Sequence, residues 1–163
     1  MSNGPVAATE REVWPAGLVD LYAAEHTELV RVAYLICGSV AAAEDAVHDA
    51  VARVALRWAS LANGRSYLYV AVANAARDSA RRDRRLLRSS RKSGHESDLD
   101  MSAESLALHG ALAGLPVNHR AAIVLRYFLD WDDDEIAAQF GVRAATVRSW
   151  VHRGITRLRK ELT

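Results

Sequence analysis

Arginine, hydroxyl-bearing and small side chains recur between residues 143 and 153, where apolar residues keep helical spacing. Val147, Val151 and Ile155 form the predicted buried stripe of a helix, which leaves the polar side chains outward. Arginine can bind guanine edges or phosphates in a major groove, and a face of small residues fits such a groove. The pattern predicts DNA contacts from Arg143, Ala144, Thr146, Arg148, Ser149, His152 and Arg153.

A short helix and a turn precede this segment. Asp132 is placed to cap the short helix, and Glu135 stands three residues later, where a capping box has its carboxylate. Gly141 can adopt the left-handed conformation needed at the break between the two helices. The stretch is therefore a predicted helix-turn-helix, although an ordinary helical hairpin with a solvated basic face fits the same pattern.

The composition favours an all-α protein. The chain has 163 residues, of which 50% are hydrophobic, and it contains only 3 prolines and 9 glycines. The polar, serine-rich stretch at residues 89–103 predicts a flexible linker. We therefore expect two small helical domains, at residues 16–88 and 104–163, with the helix-turn-helix in the second.

Apolar spacing predicts N-terminal helices over residues 16–37 and 41–60, and a third that begins at Tyr67. Between the last two, residues 63–66 are predicted to form a loop in which Ser66 caps the following helix.

The C-terminal domain is predicted to start with a short helix near residue 103. Pro116 opens the next helix. The core residues predicted for that helix are Ile123, Val124, Tyr127 and Phe128.

The sequence indicates neither catalysis nor a cofactor. It has no glycine-rich phosphate loop and no cluster with metal-ligand spacing, and its 6 histidines are scattered. The single cysteine, Cys37, is predicted to be a core residue, as expected in a reducing cytoplasm. No apolar run approaches the ~20 residues that span a bilayer, and residues 1–9 lack the features of a signal peptide. We expect a cytoplasmic protein without direct membrane insertion.

Four polar residues lie within about a turn and a half of the second predicted helix: Glu44, Asp45, His48 and Asp49. Carboxylates in a first turn stabilise the helix dipole, which is one explanation for Glu44 and Asp45. It does not account for His48 and Asp49 a turn later. A partner-binding face is the alternative.

Taken together, the two halves resemble the extracytoplasmic-function (ECF) sigma factors of bacterial RNA polymerase. The N-terminal half is similar to the family's second conserved region in A-A-E-D-A-V-H-D-A-V and in S-Y-L-Y-V-A-V-A-N-A-A-R-D-S-A-R-R. The C-terminal half is similar to its fourth region in L-P-V-N-H-R-A-A-I-V-L-R-Y-F, E-I-A-A-Q-F-G-V and T-V-R-S-W-V-H-R-G. The similarity extends over nearly all of residues 18–162, in the family's order.

The resemblance implies the partners and the division of labour. The N-terminal domain is expected to dock on the clamp coiled coil of core RNA polymerase through Glu44, Asp45, His48 and Asp49, and to read and melt the −10 promoter element. The C-terminal domain is expected to read the −35 element and to meet the flap of the other large subunit. Such factors are commonly held inactive by an anti-sigma factor, so one is expected here.

A polymerase specificity factor must hold a base that has left the stack, which needs a close-approaching loop with a cationic surface behind it. Residues 63–66 form the suitable predicted loop, in which Gly64 lets the backbone come near. The predicted −10 contacts are Asn63, Arg65, Ser66, Asn74, Arg77, Arg81 and Arg82. A plain interhelical turn followed by a solvated arginine face is the alternative.

Three positions depart from the family pattern. His48 replaces a usual glutamine, Val51 replaces a common aromatic residue, and Trp150 takes a recognition-helix site that is often basic. We predict that Trp150 flanks the core, because it lies three residues after Val147. The rival function is a stand-alone helix-turn-helix regulator, which would normally dimerise and bind a palindrome without polymerase.

Overall fold

The computed structural model describes residues 14–87 and 102–163, and within those ranges every regular element is a helix. The all-α fold is thus confirmed. A 3₁₀ turn, Trp58–Ser60, lies between the second and third α-helices. The seven α-helices of the described ranges are α1 (Ala16–Cys37), α2 (Val40–Ala55), α3 (Gly64–Leu87), α4 (Ala103–Ala113), α5 (Val117–Phe128), α6 (Asp133–Phe140) and α7 (Ala144–Leu162).

The first three helices pack on one another around a core of aliphatic side chains. Helix α1 has the bounds predicted from the sequence, and it ends at Gly38, whose φ of 80° is left-handed. The Ser39 hydroxyl accepts a hydrogen bond from the Ala42 amide and caps α2. Helix α2 ends at Ala55, short of the predicted residue 60, and the fully buried side chains in this core include Leu18, Leu29, Ile36, Val47 and Leu68.

The predicted loop at residues 63–66 is wrong, because helix α3 already begins at Gly64. Asn63, and not Ser66, is the capping residue: its side-chain oxygen accepts a hydrogen bond from the Ser66 amide at 3.2 Å. Local packing also explains why residue 64 is a glycine. A Cβ atom there would lie 2.3 Å from Cζ3 of Trp58, so the indole occupies the space beside the backbone.

Helices α4 to α7 form the C-terminal half, and the predicted helix-turn-helix is α6 and α7. The capping box is present in full, since Asp132 accepts from the Glu135 amide and Glu135 accepts from the Asp132 amide, each at 2.8 Å. Gly141 has a φ of 65° at the turn, as predicted. The second helix buries Val147 and Val151 against the core.

The predicted core of α5 is only half right. Ile123 and Val124 are buried, but Tyr127 is 57% exposed and Phe128 is 40% exposed. The amides of Leu129 and Trp131 both donate to the Leu125 carbonyl, so the chain turns back at this point. Leu129 and Trp131 then pack against the core. The prediction from helical spacing had placed Tyr127 and Phe128 there instead.

The two halves of the chain contact each other through α1 and α3 on one side and α4 and α5 on the other. The predicted linker, residues 89–103, lies outside the described residues except for its last two positions. Ser102 caps α4 and Ala103 is its first residue. Among the described helices, none is long and apolar enough to cross a membrane.

Candidate nucleic-acid interface

Helix α7 separates its two sides clearly. Its buried side carries Val147, Val151, Gly154 and Leu158. Arg148, His152 and Arg153 are exposed on the opposite side, and Ser149 between them is half-buried. Of the predicted contacts at the start of this helix, Arg143 is exposed, whereas Ala144 and Thr146 are half-buried. The structure therefore brings most of the predicted face together on one surface.

Asp133, in the first turn of α6, links this surface to α5. Its Oδ1 accepts a hydrogen bond from Nη1 of Arg126, and its Oδ2 lies 3.9 Å from Nη1 of Arg148. The Asp133 side chain is only 16% exposed, whereas that of Arg148 is 62% exposed. The Asp133 carboxylate is thus held by Arg126 and lies at ion-pair distance from Arg148, whose guanidinium is mostly exposed.

Neither Asp133 nor Arg126 was predicted at this site from the sequence. They are seven residues apart across the turn between α5 and α6, so helical spacing does not relate them. The one available signal was the excess of carboxylates at residues 132–135, of which the capping box uses only Asp132 and Glu135.

A groove of about 360 Å³ runs beside the recognition helix. The exposed ring of Tyr127 lines it, together with the guanidinium groups of Arg126, Arg148 and Arg159. An aromatic ring among arginines gives an anionic chain both a stacking surface and charge.

Trp150 lies on the other side of this helix. Its ring centroid is 6.1 Å from that of Phe140 and 6.2 Å from that of His119, and it packs against the core. The prediction that Trp150 flanks the core is confirmed. Burial, followed by the charge of Arg153, lowers the pKa of His119.

The predicted −10 contacts at the start of α3 have intramolecular partners. Arg65 donates from Nε to Glu25 of α1 at 2.7 Å, and its guanidinium carbon lies 4.9 Å from the ring centroid of Tyr69. Burial raises the pKa of Tyr69 to about 12. The ion pair ties the first turn of α3 to α1, while the outer part of Arg65 and the Ser66 side chain stay exposed.

The remaining predicted contacts on α3 divide between two sides of the helix. Arg77 and Arg81 face the C-terminal half, where Arg81 donates to Asn118 of α5 at 3.0 Å. Arg82 instead lines a groove shared with α2. Asn74 is half-buried at the predicted stripe. Burial, followed by the charge of Arg81, lowers the pKa of Arg77.

Comparison with known proteins agrees with this two-part layout. Residues 21–86, from α1 to α3, match the family described as Sigma-70 region 2, and residues 105–158, from α4 to α7, match Sigma-70, region 4. The RNA polymerase sigma-E factor of Streptomyces coelicolor is 33% identical over 127 residues, which are 74% of this chain and 71% of that protein. The chain belongs to the ECF sigma factors of the sigma-70 family.

Two further matches, one to a sequence and one to a fold, cover more of this chain. The ECF RNA polymerase sigma factor SigL of Mycobacterium tuberculosis is 28% identical over 153 residues, 87% of this chain and 86% of its own. The fold is similar to that of the sigma factor RpoE from Bartonella quintana in its complex with the anti-sigma factor NepR. The TM-score is 0.66 at 22% identity, with 96% of this chain and 98% of that chain covered.

The acidic face of this sigma factor is arranged as predicted. Glu44, Asp45, His48 and Asp49 are all exposed on α2. Helix α2 starts at Val40 and has no acidic residue in its first turn, so stabilisation of the helix dipole does not explain Glu44 and Asp45. The capping explanation for these two carboxylates is therefore wrong. Asp45, His48 and Asp49 line a groove of about 730 Å³ between α2 and α3.

The two positions of the N-terminal half that depart from the family pattern, Val51 and His48, differ in burial. Val51 is fully buried, so its difference from the aromatic residue common at that site affects the core. His48 is exposed, and its ring lies 6.5 Å from that of Trp14. Groups of His, Cys, Asp and Glu side chains that could hold a metal ion do not occur in the part of the chain that the structure describes.

Proposed function

We propose that this sigma factor binds core RNA polymerase through the acidic face of α2 and directs it to promoters whose −35 element is read by α7. The observation that carries the proposal is the single exposed face of α7, on which Arg148, His152 and Arg153 stand together. A helix that is apolar on one side and basic on the other suits a major groove.

Arg148 is the best candidate for a base contact. Its anchoring by Asp133 reduces the conformational entropy that a long side chain loses on binding. Arg153 and Arg143 lie further along the exposed surface and suit phosphate contacts, and Thr146 and Ser149 are half-buried beside them. The half-buried position of Thr146 and Ser149 favours contacts at the phosphate side over deep base contacts.

For the −10 element, the support lies on α3. Arg77 and Arg81 form a cationic pair one turn apart, and the outer part of Arg65 and Ser66 are exposed at the start of the helix. A displaced strand could follow this line by its phosphates. Asn63 caps α3 through its Oδ1 in the free protein, so this oxygen accepts from a base only in exchange for that hydrogen bond.

The face proposed to dock on polymerase is acidic, whereas the faces proposed to bind DNA are basic. Four exposed polar groups on α2, three of them carboxylates, suit the basic and polar side chains of a coiled coil such as the polymerase clamp. The exposed Tyr127 and Phe128 offer the C-terminal half an apolar contact for the polymerase flap. An anti-sigma factor is a further partner that we propose, because RpoE of Bartonella quintana is complexed with one. Binding to polymerase implies action in the cytoplasm.

The test is transcription of fragmented genomic DNA by core polymerase with and without this sigma factor. New start sites that share −10 and −35 sequences are expected only when both are present. A stand-alone regulator would instead shift the same DNA without core polymerase and would add no start sites.

A matched pair of variants then separates docking from promoter reading. Asp49→Ala removes one exposed carboxylate of the acidic face, and we expect it to weaken binding to core polymerase by about ten-fold or more while the helix content stays unchanged. Glu104→Ala, which removes an exposed carboxylate in the other half of the chain, is the control. Equal affinities for core polymerase in the two variants would contradict the assignment of the acidic face.

A further inference from the structure

Two aromatic rings on the α1 side of the N-terminal half lie next to the acidic face of α2. The Trp14 ring stands nearly perpendicular to that of Tyr22, at 88°, with the ring centroids 5.9 Å apart. The same indole pairs with His48 of the acidic face, at a centroid distance of 6.5 Å and an interplanar angle of 66°. Edge-to-face pairs at such distances are favourable beyond the area that they bury. Trp14 therefore connects a ring of α1 to a side chain proposed to bind polymerase.

The core holds this pair of rings in place. Trp14 and Tyr22 are half-buried, and both pack against the hydrophobic core. Tyr22 also pairs with His26, at a centroid distance of 5.1 Å, so the row of rings continues along α1. Burial, followed by the charge of Glu44, raises the pKa of Tyr22. The two rings are thus close to both Glu44 and His48 of the acidic face.

His48 is the member of the acidic face that gains most from such support. Its side chain is exposed, and it forms no hydrogen bond or ion pair within the part of the chain that the structure describes. An exposed side chain loses rotamer freedom when a partner immobilises it, and this loss weakens binding. A ring that already restrains the imidazole in the free protein reduces the loss. The edge of Trp14 is placed to provide that restraint.

We propose that Trp14 is a positioning residue for polymerase binding, which holds the His48 ring on the acidic face with Tyr22 behind it. This inference rests on the proposed docking of His48 on core polymerase. Trp14 acts through His48, without a contact of its own to the partner. The effect of Trp14 should therefore depend on the presence of a ring at position 48.

A double-mutant cycle on the affinity for core polymerase tests this dependence. Trp14→Ala should weaken binding by about three- to ten-fold. Trp14→Leu, which keeps apolar packing but has no ring, should have a similar effect and replaces Trp14→Ala if that variant does not fold. Trp14→Phe should restore most of the affinity. His48→Gln keeps hydrogen-bonding groups but has no ring. In that background, Trp14→Leu should change the affinity by less than about two-fold.

Asp49 supplies the matched control cycle. It lies next to His48 on the exposed face of α2, but it has no ring to pair with Trp14. Trp14→Leu should therefore weaken binding by the same factor in the Asp49→Ala background as in the wild type. The same factor in the His48→Gln background as well would indicate a general packing role or a direct contact of Trp14. Either result would overturn the positioning role.

The free protein provides a second measurement that a general packing role does not move. The indole ring current shifts the proton signals of a neighbouring imidazole, and the His48 signals are identified by their loss in His48→Gln. Trp14→Leu should move these signals, while those of His152 in the C-terminal half stay in place. Unmoved His48 signals would overturn the contact and with it the positioning role. Equal affinities of Asp49→Ala and Glu104→Ala for core polymerase would instead contradict the proposed docking itself, so the two failures are distinguishable.

Discussion

The anchoring of Arg148 by Asp133 leads to a prediction about promoter specificity. Asp133→Asn removes the charge that holds both Arg126 and Arg148. The Arg148 pair is at 3.9 Å and well exposed, so its loss costs only about 0.2–1 kcal/mol. That energy should appear as a fall of up to about five-fold in the ratio of affinities for a −35 sequence and a scrambled sequence. Affinity for the scrambled sequence should rise, because a carboxylate near the phosphates is gone.

Asp134→Asn is the matched control for this substitution. Asp134 lies in the same first turn of α6, so it contributes similarly to the helix dipole, but it is exposed and forms no ion pair among the described residues. The partly exposed bond to Arg126 adds about 1 kcal/mol to stability, after allowance for solvent screening. Asp133→Asn should therefore melt roughly 2–4 °C below Asp134→Asn. The same affinity ratio in both variants, measured by competition at one salt concentration, would refute the anchoring role.

Two further predictions concern stability and pH. Gly64→Ala places a Cβ 2.3 Å from the Trp58 ring, so we expect a loss of about 1–3 kcal/mol in urea unfolding, against little change for the exposed Ser66→Ala. Burial, followed by the charge of Arg120, lowers the pKa of His109 below its ordinary 6.5 in the folded protein. The unfolded chain therefore binds a proton more readily, so this contribution to folding is present above pH 6.5 and is lost as the pH falls through the lowered value. The free energy of urea unfolding should therefore fall with acidification more in the wild type than in His109→Phe, which keeps an aromatic ring on Tyr34; the same pH dependence in that variant would contradict the assignment.

The sequence allowed good predictions wherever one local rule decided the outcome. The bounds of α1 follow from regular apolar spacing along one helix, and the capping box at Asp132 and the left-handed Gly141 follow from residues within a few positions of each other. The predicted loop at residues 63–66 failed because Asn63 and Ser66 are both good capping residues, and only the packing of Trp58 on Gly64 shows which is used.

Arg120 could not be predicted by these rules at all. An arginine within an apolar helical stretch is normally assigned to solvent, yet this one is buried. Its partners are carbonyl groups at helix ends, which carry no side-chain signal in a sequence. The proposed contacts with DNA and polymerase, in turn, remain predictions, because they depend on partners outside this chain.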